Sequence, residues 1–350
     1  MLKNNYGKTE KEIRNAIGLP LSAFQDSGIS PAALSAFENG KSEVNFEKLK
    51  SCLNILKVPL DSFMDLAESH PIFKGYGVAF QILREQRSFE FDVFKSLGIS
   101  PYIFQMFEEG KVMLPFDIID ASLQLMHVSL SDFSYIVNKG QQDHFIELFD
   151  KIEFYDSIGS APKLEEIFEE ANQYPDYRLI ALSSKSHLRG LSQEEVEEVG
   201  DFLIGIDIWT NVGVSVFINT LTQLSTTMIL TVVNDFIKNF ELYREDIILR
   251  RNITRALVLV SMRMMDNGED ALASQILESS RQFLFHKDCY ASSLYTFALG
   301  YHLYYIGKIE EGVSKMQGIL HFFDLIGDKI TENELQALFQ RISNNEPSLI

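Results

Sequence analysis

The sequence predicts an all-α chain: two tandem repressor-like helix-turn-helix units of five helices each, then a tetratricopeptide-like helical repeat domain. Three observations carry that reading. A segment of about seventy residues recurs in register from the N-terminus. Apolar positions follow helical spacing, with capping residues where helices would start and glycines where they would stop. Beyond residue 141, glycine turns divide apolar runs in the manner of stacked helix pairs.

The repeat needs no gap. Gly28-Ile29-Ser30-Pro31 returns as Gly98-Ile99-Ser100-Pro101, and the same offset sets Gly7 on Gly77, Arg14 on Arg84 and Phe24 on Phe94. Phe37-Glu38 and Gly40-Lys41 return as Phe107-Glu108 and Gly110-Lys111, and the match runs on through Phe46/Phe116, Leu53/Leu123, Val58/Val128, Leu60/Leu130 and Phe63/Phe133. Units of 1–70 and 71–140 follow, with 141–350 as the remainder.

Within the first unit each element has a local cause. Helix one is expected from about Thr9, with Glu12 completing a capping box. Pro20 opens a short second helix, Leu21 to about Asp26, and Gly28 makes the tight turn. Ser30 caps a third helix with Pro31 at its first position, where a missing N–H is harmless. Asn39-Gly40 ends it. Asn45 caps a fourth helix with Phe46, Leu49, Leu53 and Leu56 on one face; Pro59 stops it, and Asp61 to Leu66 form a fifth. Two short helices across a glycine turn, inside a five-helix bundle, are a helix-turn-helix of the phage-repressor kind. Arg14 with Glu38, repeated as Arg84 with Glu108, is expected to be an ion pair bracing the first helix against the third, exposed or half-exposed and worth under about 1 kcal/mol.

Charge is uneven along the chain. The whole carries −18, residues 1–70 carry −1, residues 71–138 carry −3, and the acidic excess falls in the rest. That fits a DNA-binding head on an acidic body, with modest and salt-sensitive affinity. Two cysteines, Cys52 and Cys289, form no CxxC pair, and seven histidines show no ligand spacing, so no metal and no cofactor are expected. Met1 to Glu12 has no apolar run of the secretory kind. Leu203 to Ile218 is interrupted by Asp207, Thr210 and Asn211 and reads as a buried helix, giving no membrane span. Gly7-Lys8 lacks the earlier glycine of a phosphate loop, because residue 2 is Leu, and no nucleophile motif is present. An enzyme is not expected.

Gly7-Lys8-Thr9, Glu12-Ile13-Arg14, Gly18-Leu19, Phe37-Glu38-Asn39-Gly40 and Val58-Pro59-Leu60-Asp61-Ser62-Phe63 resemble the N-terminal helix-turn-helix of Rgg/GadR/MutR regulators. Leu191-Ser192-Gln193-Glu194-Glu195, Asp201-Phe202-Leu203, Trp209 and Phe217-Ile218-Asn219 resemble the same family further on. The resemblance implies a cytoplasmic, homodimeric, quorum-sensing type transcription regulator, whose C-terminal helical repeats receive a short signalling peptide. It departs from the family in carrying two helix-turn-helix units, and in placing Ala36 and Met106 where a cation usually precedes Phe-Glu.

On that basis Ser30, Ala32, Ala33 and Ser35 are expected to face the major groove of double-stranded promoter DNA, with Asn39 and Lys41 near phosphates. The second unit shows Tyr102, Ile103, Gln105 and Met106 there, followed by Glu108 and Glu109, which fits a spacer or dimerisation role better than DNA contact. In the C-terminal region, Leu299-Gly300, Gly307-Lys308 and Gly312 follow the tetratricopeptide pattern, as does the Asn267-Gly268 turn. Stacked pairs leave a concave surface suited to an extended peptide. Asn211, Asn219 and Asn252 offer amides to a peptide backbone, and Arg251, in the basic pair Arg250-Arg251, together with Arg255 offers a clamp for its carboxylate. A groove in an acidic domain favours basic or neutral peptides. The alternative is an adaptor whose helix-turn-helix units contact protein and not DNA.

Overall fold

Gly7 and Gly77 mark the crossing on which each repeat is built. The computed structural model describes residues 3–68, 75–141 and 144–344, and the chain divides into two units, 1–142 and 143–350. The expected boundary at 70/71 lies outside the described residues. The first repeat comprises α1 (Lys3–Ile17), a 3-10 helix (Leu21–Ser27), α2 (Pro31–Glu38), α3 (Phe46–Leu56) and α4 (Leu60–Glu68). The second comprises α5 (Tyr76–Gln86), a 3-10 helix (Phe91–Leu97), α6 (Pro101–Glu108), α7 (Phe116–Leu125) and α8 (Leu130–Val137). A Cβ on Gly7 would lie 2.1 Å from the Phe37 carbonyl oxygen, and one on Gly77 would lie 1.8 Å from that of Phe107. Only glycine lets α1 cross α2, and α5 cross α6, at this backbone separation.

The caps form as their residue types dictate. Ser30 Oγ accepts from Ala33 N at 3.2 Å, Asn45 Oδ1 from Lys48 N at 2.9 Å, and Ser100 Oγ from Tyr102 N at 3.3 Å. Gly28 and Gly98 take left-handed φ of 73° and 76° at the turns. Two expectations are corrected. The second element is a 3-10 helix, because Phe24 and Ser27, three apart, are its buried face, and a three-residue period eclipses them. Thr9 caps nothing; α1 already runs from Lys3, and Thr9 is buried inside it. Tertiary contact holds the extra turns: Asn5 donates to the Ala67 carbonyl at 2.5 Å, Tyr6 bonds Glu68, and the Tyr6 and Phe63 rings lie 5.9 Å apart.

The Arg–Glu braces are present in both repeats, but buried and not half-exposed. Arg14 Nε and Nη2 reach the two Glu38 oxygens at 2.6 and 3.0 Å, and Arg84 reaches Glu108 at 2.6 and 2.8 Å. The third guanidinium nitrogen donates to the Leu19 carbonyl in one repeat and to Phe89 in the other. A fork satisfied on both sides is geometrically fixed. Glu10 breaks the match. Its repeat partner Phe80 packs among Phe94, Phe104 and Phe107 with ring centroids 5.5–5.9 Å away. Glu10 is equally buried; as a carboxylate neither of its oxygens receives a hydrogen bond from a described residue, and only the protonated acid can share one with Glu38.

The two repeats share one core. Ser100 N donates to the Lys57 carbonyl, Ser62 Oγ to the Met113 carbonyl, and Met113 N to Asp65 Oδ2. α6 packs against α1, and Ile103, the counterpart of exposed Ala33, is fully buried. Met106 is buried as well.

The second unit begins with α9 (His144–Ser157), α10 (Ala161–Ala171), α11 (Arg178–Leu188), α12 (Gln193–Ile204), α13 (Asn211–Thr220) and α14 (Thr226–Lys238). It continues with α15 (Phe240–Tyr243), α16 (Ile247–Asp266), α17 (Asp270–Ser280), α18 (Cys289–Tyr305), α19 (Ile309–Ile326) and α20 (Lys329–Asn344). Helices α11, α13, α16 and α18 touch in succession and form an inner layer; α10, α12, α14, α17 and α19 pack outside it. Gly300 and Gly312 meet in the α18–α19 crossing, where a Cβ on either would come within 2.9 Å of the other's carbonyl oxygen. Gly307 and Gly268 turn with φ of 85° and 77°. Ser192 and Glu195 form a complete capping box on α12. The buried Trp209 donates Nε1–H to Asp235 at 2.6 Å. Helix α9 lies on α11 and α13, and α20 returns to meet α9. Among the described residues no helix is long and apolar enough to cross a membrane.

Candidate functional site

The two sets of expected binding residues fall on different units. In the first, Leu34, Phe37 and Glu38 bury one side of α2, which leaves Ala32 and Ala33 exposed and Ser35 and Ala36 half-exposed on the other. Ser30 stands exposed at the N-cap, and Lys41 is exposed just past the C-terminus. Small side chains on this face let the helix backbone approach a duplex closely, and the serine hydroxyls can donate or accept. Asn39 is already engaged: its amide donates to the Ser35 carbonyl at 2.7 Å, and its oxygen accepts from Lys11 Nζ at 2.9 Å. Lys11 thereby brings a cation to the end of α2 that spacing within the motif did not indicate. Its counterpart in the second repeat is Gln81, which bonds Glu85. On α6 only Gln105 is fully exposed, with Pro101 and Tyr102 partly so; Glu109, just past its end, is exposed and pairs with Lys111 at 2.5 Å. The second repeat therefore offers no open recognition face, since the residues that would form it are in the core.

In the second unit a cavity of about 720 Å³ opens between the inner layer and the pair α9 and α20. That volume lies in the range of about 300–1,000 Å³ typical of ligand sites. Two other cavities of this unit, near Tyr174 and near Trp209, have about 260 and 250 Å³. Of the five expected peptide contacts, Asn219 and Arg255 line the large cavity. Asn211 and Asn252 do not; they bond each other at 2.9 Å, tying α13 to α16. Arg251 lies one turn from Arg255 and pairs with Asp288 at 3.0 Å. Its neighbour Arg250 binds the carbonyls of Phe283, Leu284 and Arg244, so it fixes the loop before α18.

Sequence reasoning did not find the other charged lining. Glu153 and Asp156 come from α9, His187 from α11, Glu334 and Arg341 from α20. No motif links them, because they converge only when first and last helices meet. Arg255 is bound to Glu153. His187 stands between Asp156, with Nδ1 at 3.0 Å, and Asn219, with Nε2 at 2.9 Å. Burial opposes charge on this imidazole, but Asp156 and Asn219 outweigh it and hold its pKa above the usual histidine value. Ile218, Leu221, Leu259 and Leu338 complete the wall. The arrangement can take an extended apolar segment and meet its backbone and ends with polar groups. Among the described residues no cluster of ligating side chains suits a metal ion.

Comparison with known proteins agrees with this division. The profile described as the C-terminal domain of the helix-turn-helix-type transcriptional regulator Rgg matches residues 163–337, half of the chain, and a helix-turn-helix profile matches residues 11–63. Among solved structures, the SHP pheromone receptor Rgg2 of Streptococcus dysgalactiae superposes with a TM-score of 0.62 at 15% identity, over 76% of this chain and 99% of that one. A candidate transcriptional regulator of Listeria monocytogenes EGD-e gives 0.66 at 14%, over 78% and 99%. PrgX in complex with cCF10 gives 0.57 at 10%, over 79% and 94%.

Proposed function

Because the chain belongs to the Rgg family of helix-turn-helix transcriptional regulators, we propose that it is a cytoplasmic, homodimeric regulator whose DNA binding answers to a short signalling peptide. The first repeat reads promoter DNA through Ser30, Ala32, Ala33 and Ser35, with Lys41 and the Lys11–Asn39 pair at the phosphates. The second repeat is the packing partner that fixes the first. The peptide enters the cavity floored by α11, α13 and α16, where Asn219 and Arg255 stand. Peptide binding between α9 and α20 shifts the dimer population toward the state that fits a paired half-site.

The observation that carries this reading is the coexistence of an open, small-residue α2 face with a ligand-sized cavity whose polar groups converge from five helices. Heptapeptides selected from a random display library on the full-length protein test it. Thr222 is exposed at the rim of the cavity; Thr222→Trp should block the selected peptides, whereas Arg244→Ala, away from the cavity, should not. Peptides that bind both variants equally would place the receptor site elsewhere.

A further inference from the structure

Six ionisable side chains line the large cavity, and five of them are already engaged. Arg255 holds Glu153. Arg341 has a partner of its own. Asn219 gives its amide N–H to the Ser215 carbonyl at 2.8 Å, so its oxygen faces His187 Nε2 as an acceptor. The other ring nitrogen faces the Asp156 carboxylate. Once protonated, this imidazole donates from both nitrogens and neutralises Asp156 where it stands. Glu334 differs. It sits on α20 facing the same cavity, half-buried, and it makes no hydrogen bond or ion pair with any described residue. Burial raises its pKa; Glu153 and Asp156 on α9 and Asp328 beside α20 add to this, and Arg255 on α16 opposes it.

We infer that Glu334 selects the charge of the ligand: it receives a cation, namely a lysine or arginine side chain or the N-terminal ammonium of a short peptide that is otherwise apolar. The inference rests on the cavity being the peptide site. A half-buried carboxylate without a partner has lost hydration and gained nothing in return, and a ligand cation restores the balance. An anionic ligand would instead have to displace Glu153 from Arg255 or Asp156 from His187, or compete for Arg341, which already has a partner. The apolar lining from Ile218, Leu221, Leu259, Ala337 and Leu338 sets the character of the remaining residues.

Random heptapeptides selected on the full-length protein provide the test, with Glu334→Gln and Glu334→Lys as variants and Trp209 fluorescence as the check that both fold. Wild-type pools should be enriched in one basic residue or a free N-terminus. Replacing that lysine by norleucine should weaken binding at least about tenfold in the wild type, as for a hydrogen bond to a charged group, and have little effect in Glu334→Gln. The Glu334→Lys pool should turn acidic. Peptides that Thr222→Trp blocks but whose charge preference is the same in all three proteins would overturn the assignment of Glu334 and leave the cavity as the receptor. Selection of acidic peptides by the wild type would overturn it too. Peptides indifferent to Thr222→Trp would overturn both.

Discussion

Replacing Glu10 by methionine should stabilise the first repeat, and by an amount that depends on pH. Burial raises the Glu10 carboxyl pKa, the Glu38 carboxylate raises it further, and Arg14 offsets only part, so it stands at about 8 against an ordinary 4.5. An acid whose folded pKa is raised must take up a proton to fold once the pH passes its unfolded value. The cost therefore grows as pH climbs from 4.5 toward about 8, and is flat beyond. At 1.36 kcal/mol per pH unit, it is about 3 kcal/mol at pH 7 and under about 1 kcal/mol at pH 5. Methionine fills a similar volume without charge, and Phe80 shows that the equivalent site in the second repeat is apolar. The adjacent Cys52 thiol, pushed up to about 11 mainly by burial, stays neutral throughout. Hydrogen exchange of the Phe24 to Phe37 amides in the full chain, variant against wild type at each pH, reads the difference. A stabilisation that is the same at pH 5 and pH 7.5, or a loss of stability at pH 7.5, would refute the reasoning.

Four other outcomes follow from the same geometry. Gly77→Ala should cost at least about 1–3 kcal/mol, as overpacking does, because its Cβ would meet the Phe107 carbonyl at 1.8 Å; exchange of α5 and α6 amides checks it. Gly318→Ala, inside α19 with nothing within 4 Å of the new Cβ, should instead stabilise by about 0.5–1 kcal/mol, read from Trp209 fluorescence in urea. Arg84→Ala should cost about 3–5 kcal/mol, since it strands buried Glu108; a loss under about 1 kcal/mol in exchange of the second repeat would contradict that. His187, with its folded pKa above 6.5, contributes stability that is complete below its unfolded pKa and fades as pH rises through the folded one. His187→Gln should flatten the thermal-melting profile of the second unit above pH 6.5.

What the sequence made legible was local. Ser30, Asn45 and Gly28 act within three or four residues of themselves, and Gly300 and Gly312 announce a close crossing by being small on facing helices. The offset of seventy also aligns Glu10 with Phe80, so the buried acid was visible as a mismatch, although its burial was not. What failed to show was decided by tertiary packing. The start of α1 depends on Tyr6 and Asn5 reaching α4. The burial of Ile103 depends on α6 lying on α1, and a hydrophobic face at a recognition position reads the same in sequence whether it meets DNA, another protein or its own neighbour. The cavity was legible only where its residues lie on the central α13 and α16, as Asn219 and Arg255 do. Glu153 and Glu334 are 181 positions apart, and no spacing argument joins them.

Binding of the full-length protein to a pool of intergenic fragments of its host genome, followed by a salt titration of the fragments retained, tests the central claim most directly. Retention that falls steeply with ionic strength, disappears in Ala33→Glu and survives in Gln105→Glu is the expected result. Absence of salt-dependent binding even at low ionic strength, or equal damage from the two substitutions, would contradict a first repeat that reads DNA through the exposed face of α2.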